Sequence, residues 1–232
     1  MKRFFVTMMG LVALLVLLVA WNIGSGSVSV TASQMCEVLF RKTTEGTFYH
    51  IVWDIRMPRM LAALFLGGAL AVSGFLLQTF FQNPIAGPYV LGISSGAKMV
   101  VAVVMIVCLG KGIQMSSFAM VLAAFFGSLL AMGFVLLLSM RVHKMSLLVV
   151  CGIMIGYICS AVTDFLVTFA SDSNIVNLHN WSMGSFSGTD WTDVLLFTVL
   201  VCITVVAVFL LAKPIGAYQM GEAYARNMGV NI

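Results

Sequence analysis

Charge is what this sequence has least of. Lys, Arg, Asp and Glu make up 9% of its 232 residues, where a soluble domain carries roughly a quarter. So few charges cannot cover an apolar core with a water-facing shell. The basic residues form no tract and no stripe interleaved with aromatics, which excludes a nucleic-acid surface. The five cysteines (Cys36, Cys108, Cys151, Cys159, Cys202) include no Cys-x-x-Cys pair, and the three histidines (His50, His143, His179) are scattered. Zinc-ligand spacing is therefore missing, and no metal or other cofactor is expected. P-loop, HExxH, GxSxG and GxGxxG motifs are all missing as well. The chain is not expected to bind ATP through a P-loop or to be an enzyme. It also shows no long internal repeat and no low-complexity tail.

Apolar residues make up 61% of the chain. They fall in runs of the length, about 20 residues, that crosses a bilayer. The pattern predicts an all-α, polytopic membrane protein forming one domain over 1–232. Its six helices lie near 4–22, 60–80, 95–110, 117–139, 146–169 and 191–212. Polar connectors are expected at 23–59, 111–116, 140–145, 170–190 and 213–232. The N-terminal run after Met1-Lys2-Arg3 is long for a signal peptide and lacks a small-x-small site before Asn22–Ser29. It reads as an uncleaved first helix.

The basic residues set the orientation. With the N-terminus inside, Lys2, Arg3, Lys98, Arg141, Lys144, Lys213 and Arg226 face inward. Arg41, Lys42, Arg56, Arg59 and Lys111 face outward, seven against five. Arg56 and Arg59, next to a helix, oppose the trend, and a residue that opposes it can have another task.

Several constellations could carry function. Asp164 is the charge set well inside an apolar helix, where charges are costly and functional; ion or proton coupling is one reading, simple reach to the interface the other. Gly152, Gly156, Ser160 and Asp164 recur every four residues on one helix face, as do Ala119, Ala123, Gly127 and Ala131 in the preceding helix. Such faces permit close packing, or the former lines a passage. Residues 83–97, with Pro84, Pro88, Gly87, Gly92 and Gly96, cannot form a regular helix interior. They read as a structured turn shielded from lipid, with Ser94 or Ser95 capping the next helix. Asp190 and Asp193 are first-turn helix acids, or a catalytic pair. Residues 220–230 read as a short helix between glycines, with Glu222 and Arg226 four apart and Gly229 as its stop.

The run Arg56-Met57-Pro58-Arg59, Gly67 to Gly74, Gln78, Asn83-Pro84-Ile85-Ala86-Gly87-Pro88 and Leu91 to Ala97 resembles the permeases of the FecCD family. Trp181-Ser182-Met183-Gly184-Ser185 and Glu222 to Val230 are similar to two further family segments, with Met228 where leucine is usual. The resemblance implies the N-terminal part of a ten-helix ABC importer permease in the bacterial cytoplasmic (inner) membrane, N-terminus cytoplasmic, in contact with membrane lipid. It implies three protein partners: an ATP-binding-cassette ATPase, an extracytoplasmic substrate-binding protein and a second permease copy or paralogue. The solute would be a ferric siderophore, haem or cobalamin, with ferric siderophore favoured as the family's commonest cargo. Arg56 and Arg59 would dock the binding protein. Glu222, Ala225, Arg226 and Gly229 would couple to the ATPase. Gly152, Gly156 and Ser160 would line the translocation path, and Asn83, Pro84 and Gly92 would shape the loop. Against ten helices, six leave the fold unclosed, and such a chain is expected not to transport unless the rest is supplied. Beside this stand two alternatives, an ion- or proton-coupled transporter using Asp164 and a non-transporting fragment.

Overall fold

The computed structural model describes residues 2–26, 28, 30–31, 37–38, 46–110, 113, 116–142 and 145–231. Arg41, Lys42, Lys111, Lys144, Cys36 and His143, which entered the reading above, lie outside these. The described residues form helices and turns, with no strand among them. In order they are α1 (Lys2–Gly24), α2 (Thr47–Phe81), α3 (Ile93–Gly110), α4 (Ser117–Ser139), α5 (Met145–Thr168), α6 (Asp172–Met183), α7 (Trp191–Leu210), α8 (Ala212–Gln219) and α9 (Glu222–Asn227).

Among the described residues, five helices are long and apolar enough to cross a membrane: α1, α2, α4, α5 and α7. Helix α3 is apolar but shorter. At 1.5 Å per residue, 18 residues reach about 27 Å, just under the ~30 Å of a bilayer core. The exposed side chains of α1 and α7 are overwhelmingly Leu, Val, Ile and Phe, which suits lipid contact.

Three connectors expected from the sequence are partly helical. Residues 47–59 extend α2 upstream, 172–183 form α6, and 212–219 form α8. Polar side chains (Asp54, Arg56 and Arg59 in the first, Asn174 and His179 in the second) hide them from an apolar-run criterion.

The chain divides into two compact units. The first comprises Met1–Ala69 and Phe186–Ala207. Its core is Ile23, Val30, Val38, Val52 and Met60. Here α2 opens with a π-helical stretch, His50–Arg56, a rare geometry that tends to mark functional places. Met57 N–H bonds the Val52 carbonyl five residues back. Pro58, next in line, has no N–H for Trp53 O. The Trp191 indole supplies the missing donor at 3.1 Å while its ring packs on Trp53 at 5.3 Å.

The second unit comprises Leu70–Ser185 and Val208–Ile232. Helix α3 packs on α4, α5 and α6, and α4 packs on α5. One core holds Phe81, Ala86, Leu91, Val135, Leu148 and Val149. A second holds Val101, Ala102, Met105, Ala123 and Leu178, with Trp181 against it. Gly96 and Gly127 set the α3–α4 distance. A Cβ on Gly96 would lie 2.6 Å from that of Ala131 and 2.7 Å from Gly127 O, and one on Gly127 would strike Gly96 O. The small-residue face of α4 is thus close packing. In the first unit, Asp190 and Asp193 are a reciprocal helix cap: Asp193 N–H donates to Asp190 Oδ1 at 2.8 Å and Asp190 N–H to Asp193 Oδ2 at 3.4 Å. That geometry satisfies the first-turn donors of α7 and leaves no catalytic pair.

Candidate functional site

Three groups of residues singled out by sequence have defined geometry. The first is the arginine pair at the start of α2. Arg56 is buried, donating from Nη1 to Ile23 O at 2.6 Å and from Nη2 to Val28 O. Ile23 lies in the last turn of α1, where carbonyls lack intrahelical donors and the dipole favours a cation. Gly26 lets the chain pass over the guanidinium, since a Cβ there would sit 2.7 Å from Nη2. Two of its donors thus tie α1 to the π-helical stretch, and those two are not free for a docking partner. Arg59 is half-buried, and its Nε is buried without a hydrogen-bond partner among the described residues. Arg56→Met is expected to destabilise the first unit by about 3 kcal/mol, the loss of two charge-assisted bonds. Arg59→Met should cost well under half of that, in denaturant unfolding of detergent-solubilised protein.

The second group is the turn between α2 and α3. Helix α2 ends on Gln82, whose φ of 48° makes it the non-glycine residue with positive φ among the described residues. Asn83 N–H reaches Gln78 O at 3.1 Å and Gln82 N–H reaches Thr79 O at 3.3 Å, the paired bonds of a Schellman stop. The left-handed position costs a side-chain-bearing residue about 1 kcal/mol. The Asn83 side chain then accepts from Ile85 N–H at 3.0 Å, an Asx-turn across Pro84. Ala86 and Leu91 are fully buried.

At Gly92 (φ 73°) the turn meets α5 backbone to backbone. A Cβ on Gly92 would lie 2.6 Å from Gly156 N and 2.7 Å from Gly152 O. Gly152 is covered by Leu91, whose Cδ2 and Cα would lie 3.0 and 3.1 Å from a Cβ there. Gly156 touches Gly92 but also joins Ser160, Ser95, Tyr89 and Tyr157 in the wall of a cavity of about 240 Å³. Ser160 Oγ lies 3.5 Å from Ser95 Oγ. Helix α3 begins at Ile93, so Ser94 and Ser95 sit inside its first turn and do not cap it.

The third group is α9. Gly221 (φ 111°) precedes it and Gly229 (φ 81°) ends it. Arg226 Nη2 donates to Glu222 Oε1 at 2.7 Å, with both side chains more than half exposed. Gly229 N–H bonds Arg226 O and Val230 N–H bonds Ala225 O, each at 3.0 Å, a complete Schellman motif. Ala225 is fully buried. Just upstream, burial and then the Glu222 carboxylate push the Tyr218 phenol above its ordinary 10.0. It stays a neutral donor at any physiological pH.

Sequence reasoning missed the polar contacts that join α8 to the end of α2. Gln82 Nε2 donates to Thr79 O at 3.1 Å and to Tyr218 O at 3.0 Å. Gln219 Nε2 donates to Thr79 Oγ1 at 3.0 Å. The one hint in the sequence is a glutamine at a helix stop, where glycine or asparagine is usual.

Comparison with known proteins adds family context. Residues 14–232 match the model of the FecCD transport family. The vitamin B12 import system permease protein BtuC of Klebsiella pneumoniae is 40% identical over 180 residues, covering 77% of this chain and 53% of that protein. The hemin transport system permease protein HmuU of Yersinia pestis is 32% identical over 220 residues, covering 94% and 66%. The chain thus spans about half to two thirds of these curated relatives. A chain solved in an inward-facing conformation, assigned to the metal-chelate type of ABC transporter, superposes with TM-score 0.78. It is 24% identical over 96% of this chain and 67% of its own, and shows a shared fold. By a family match running nearly its whole length, this all-helical, multi-span chain belongs to the FecCD transport family.

Proposed function

We propose that residues 1–232 are one membrane-spanning permease domain of an ATP-binding-cassette importer that moves a metal chelate inward by ATP-driven alternating access. The observation that carries this is α9 in a chain of this family. It is a short helix fixed by glycines at both ends, with its charges paired on the outside and Ala225 buried, the form of an element that docks in a partner's groove. The partner is a separate ATPase subunit, which holds the ATP chemistry. Its closure would pull Glu222, Ala225, Arg226 and Gly229 as a unit. A second permease copy completes the passage, with Gly156 and Ser160 in its wall. An extracytoplasmic binding protein docks at Arg59. The setting is the bacterial cytoplasmic membrane, with the N-terminus and α9 on the same, inner side. The relatives' names carry vitamin B12 and hemin, which favours a large cyclic chelate over the ferric siderophore suggested by family frequency. Asp164 has no ion-pair partner among the described residues, whose pairs are His50–Asp54 and Glu222–Arg226. Ion coupling therefore gains no support.

Vesicles carrying this domain together with the remaining permease helices, the ATPase and the binding protein test this directly. Uptake of cyanocobalamin or hemin is expected to require ATP and to survive collapse of ion gradients. Uptake driven by a gradient without ATP would overturn the reading. Arg59→Glu is expected to weaken binding-protein docking about tenfold at low ionic strength and less at high salt, because charge pairs steer and orient such encounters. Unchanged docking at both salts would remove Arg59 from the interface.

A further inference from the structure

We propose that Gln82 and Gln219 form a clamp that carries movement of α9 to the 83–92 turn and through it to α5. This rests on α9 being the ATPase-docking helix.

Gln82 occupies a left-handed stop that glycine would close with less strain. What glycine lacks is an amide. The Gln82 amide spans two carbonyls, Thr79 O in α2 and Tyr218 O in α8. Gln219, the last residue of α8, adds a bond to the buried Thr79 hydroxyl, and Tyr218 Oη reaches Phe80 O at 3.5 Å. Glu222, the first residue of α9, follows Gln219 by three positions.

Apolar packing between the α2 end and α8 is interrupted by a cavity of about 410 Å³, lined by Leu76, Phe80, Pro214, Ile215 and Tyr218 among others. A second cavity of about 300 Å³ opens beside Gln78, Asn83 and Gln219. The two elements are thus tied at their ends by polar contacts, with open space on either side. Beyond the clamp the connection is tight. Asn83 follows Gln82 directly, Ala86 and Leu91 share a core with Phe81 and Leu148, and Gly92 meets the α5 backbone without a side chain between. Close-packed interiors transmit displacement and do not absorb it. Movement of α8–α9 would therefore arrive at the cavity wall formed by Tyr89, Ser95 and Ser160.

Gln82→Gly is the decisive variant, because glycine suits the backbone and only the clamp is lost; Gln219→Leu cuts the other half. With native cysteines replaced, Tyr89→Cys, which is exposed on the cavity wall, reports accessibility to an impermeant maleimide with and without ATP in ATPase-loaded vesicles. ATP should change the labelling rate in the parent. That change is expected to shrink about five- to tenfold in Gln82→Gly, the weight of one hydrogen bond in a two-state balance. Gln219→Leu should act similarly, and the pair together should add little, since both cut one link. ATPase association and thermal stability should stay at the parent's level. A full ATP response in both single variants overturns the clamp. So does a parent whose labelling ignores ATP, for the clamp would then convey nothing. Failure of the underlying reading shows separately, as ATPase association that survives Arg226→Glu.

Discussion

Gly92→Ala is expected to abolish accumulation of folded protein in the membrane. The added Cβ would lie 2.6–2.8 Å from three backbone atoms of α5, Gly156 N, Gly152 O and Gly156 Cα. Backbone atoms inside a membrane helix cannot swing aside as the end of a side chain can. The φ of 73° adds roughly 1 kcal/mol for any residue with a Cβ. Overpacking a tight interior costs about 1–3 kcal/mol and sometimes more. Together these reach about 2–4 kcal/mol, a large share of the 5–15 kcal/mol that holds an ordinary domain together. Gly152→Ala is expected to be milder, because its nearest neighbours, the terminal methyl and Cα of Leu91, stand farther off, at 3.0 and 3.1 Å. Gly67→Ala and Gly74→Ala serve as controls. Nothing lies within 4 Å of either Cβ position, and alanine gains about 1 kcal/mol over glycine in a helix interior. Melting of purified protein, with membrane yield as a second readout, checks the order Gly92, Gly152, then Gly74. Normal yield and melting of Gly92→Ala would show that the turn does not press on α5.

Arg226→Glu is expected to weaken ATPase association about tenfold or more. The substitution removes the 2.7 Å pair with Glu222 and places two carboxylates four residues apart, costing a few tenths of a kcal/mol for each change. It also sets a negative charge at the C-terminal end of the helix, against its dipole, for about 0.3–1 kcal/mol more. These charges are well exposed, so screening trims every term. The sum is small for a protein but large for a helix of six residues, which has little else to hold its shape. Added salt should recover part of the loss. Arg226→Gln should lose only the pair and fall between. Affinity in detergent across a salt series measures this. Equal affinity for Arg226→Glu and the parent would show that α9 does not dock.

How far the sequence reached differs from element to element. Helix α4 was predicted as 117–139 and is found at Ser117–Ser139, because its apolar run is uninterrupted and polar residues flank it. The start of α2 was not legible. Asp54, Arg56, Pro58 and Arg59 read as connector, yet they are helical, since a π-helical stretch and a distant indole satisfy the carbonyl that Pro58 leaves open. The short helix α9 was legible in full, down to its ion pair and glycine stop, because caps and i,i+4 pairs are local. The arginine pair was legible as unusual, but the burial of Arg56 was not.

The sequence by itself determined that this protein is helical, that it lies in a membrane and that it belongs to its family. It also determined where each short-range device sits. These depend on composition, periodicity and contacts within one turn of helix. Only the tertiary structure decided which glycines press on a neighbour, which arginine keeps a free nitrogen and which glutamines join α2 to α8. Those contacts span from 28 residues, for Arg56 and Val28, to 140, for Gln219 and Thr79. At such separations a residue's partner is set by how the helices pack, and no spacing along the chain records it.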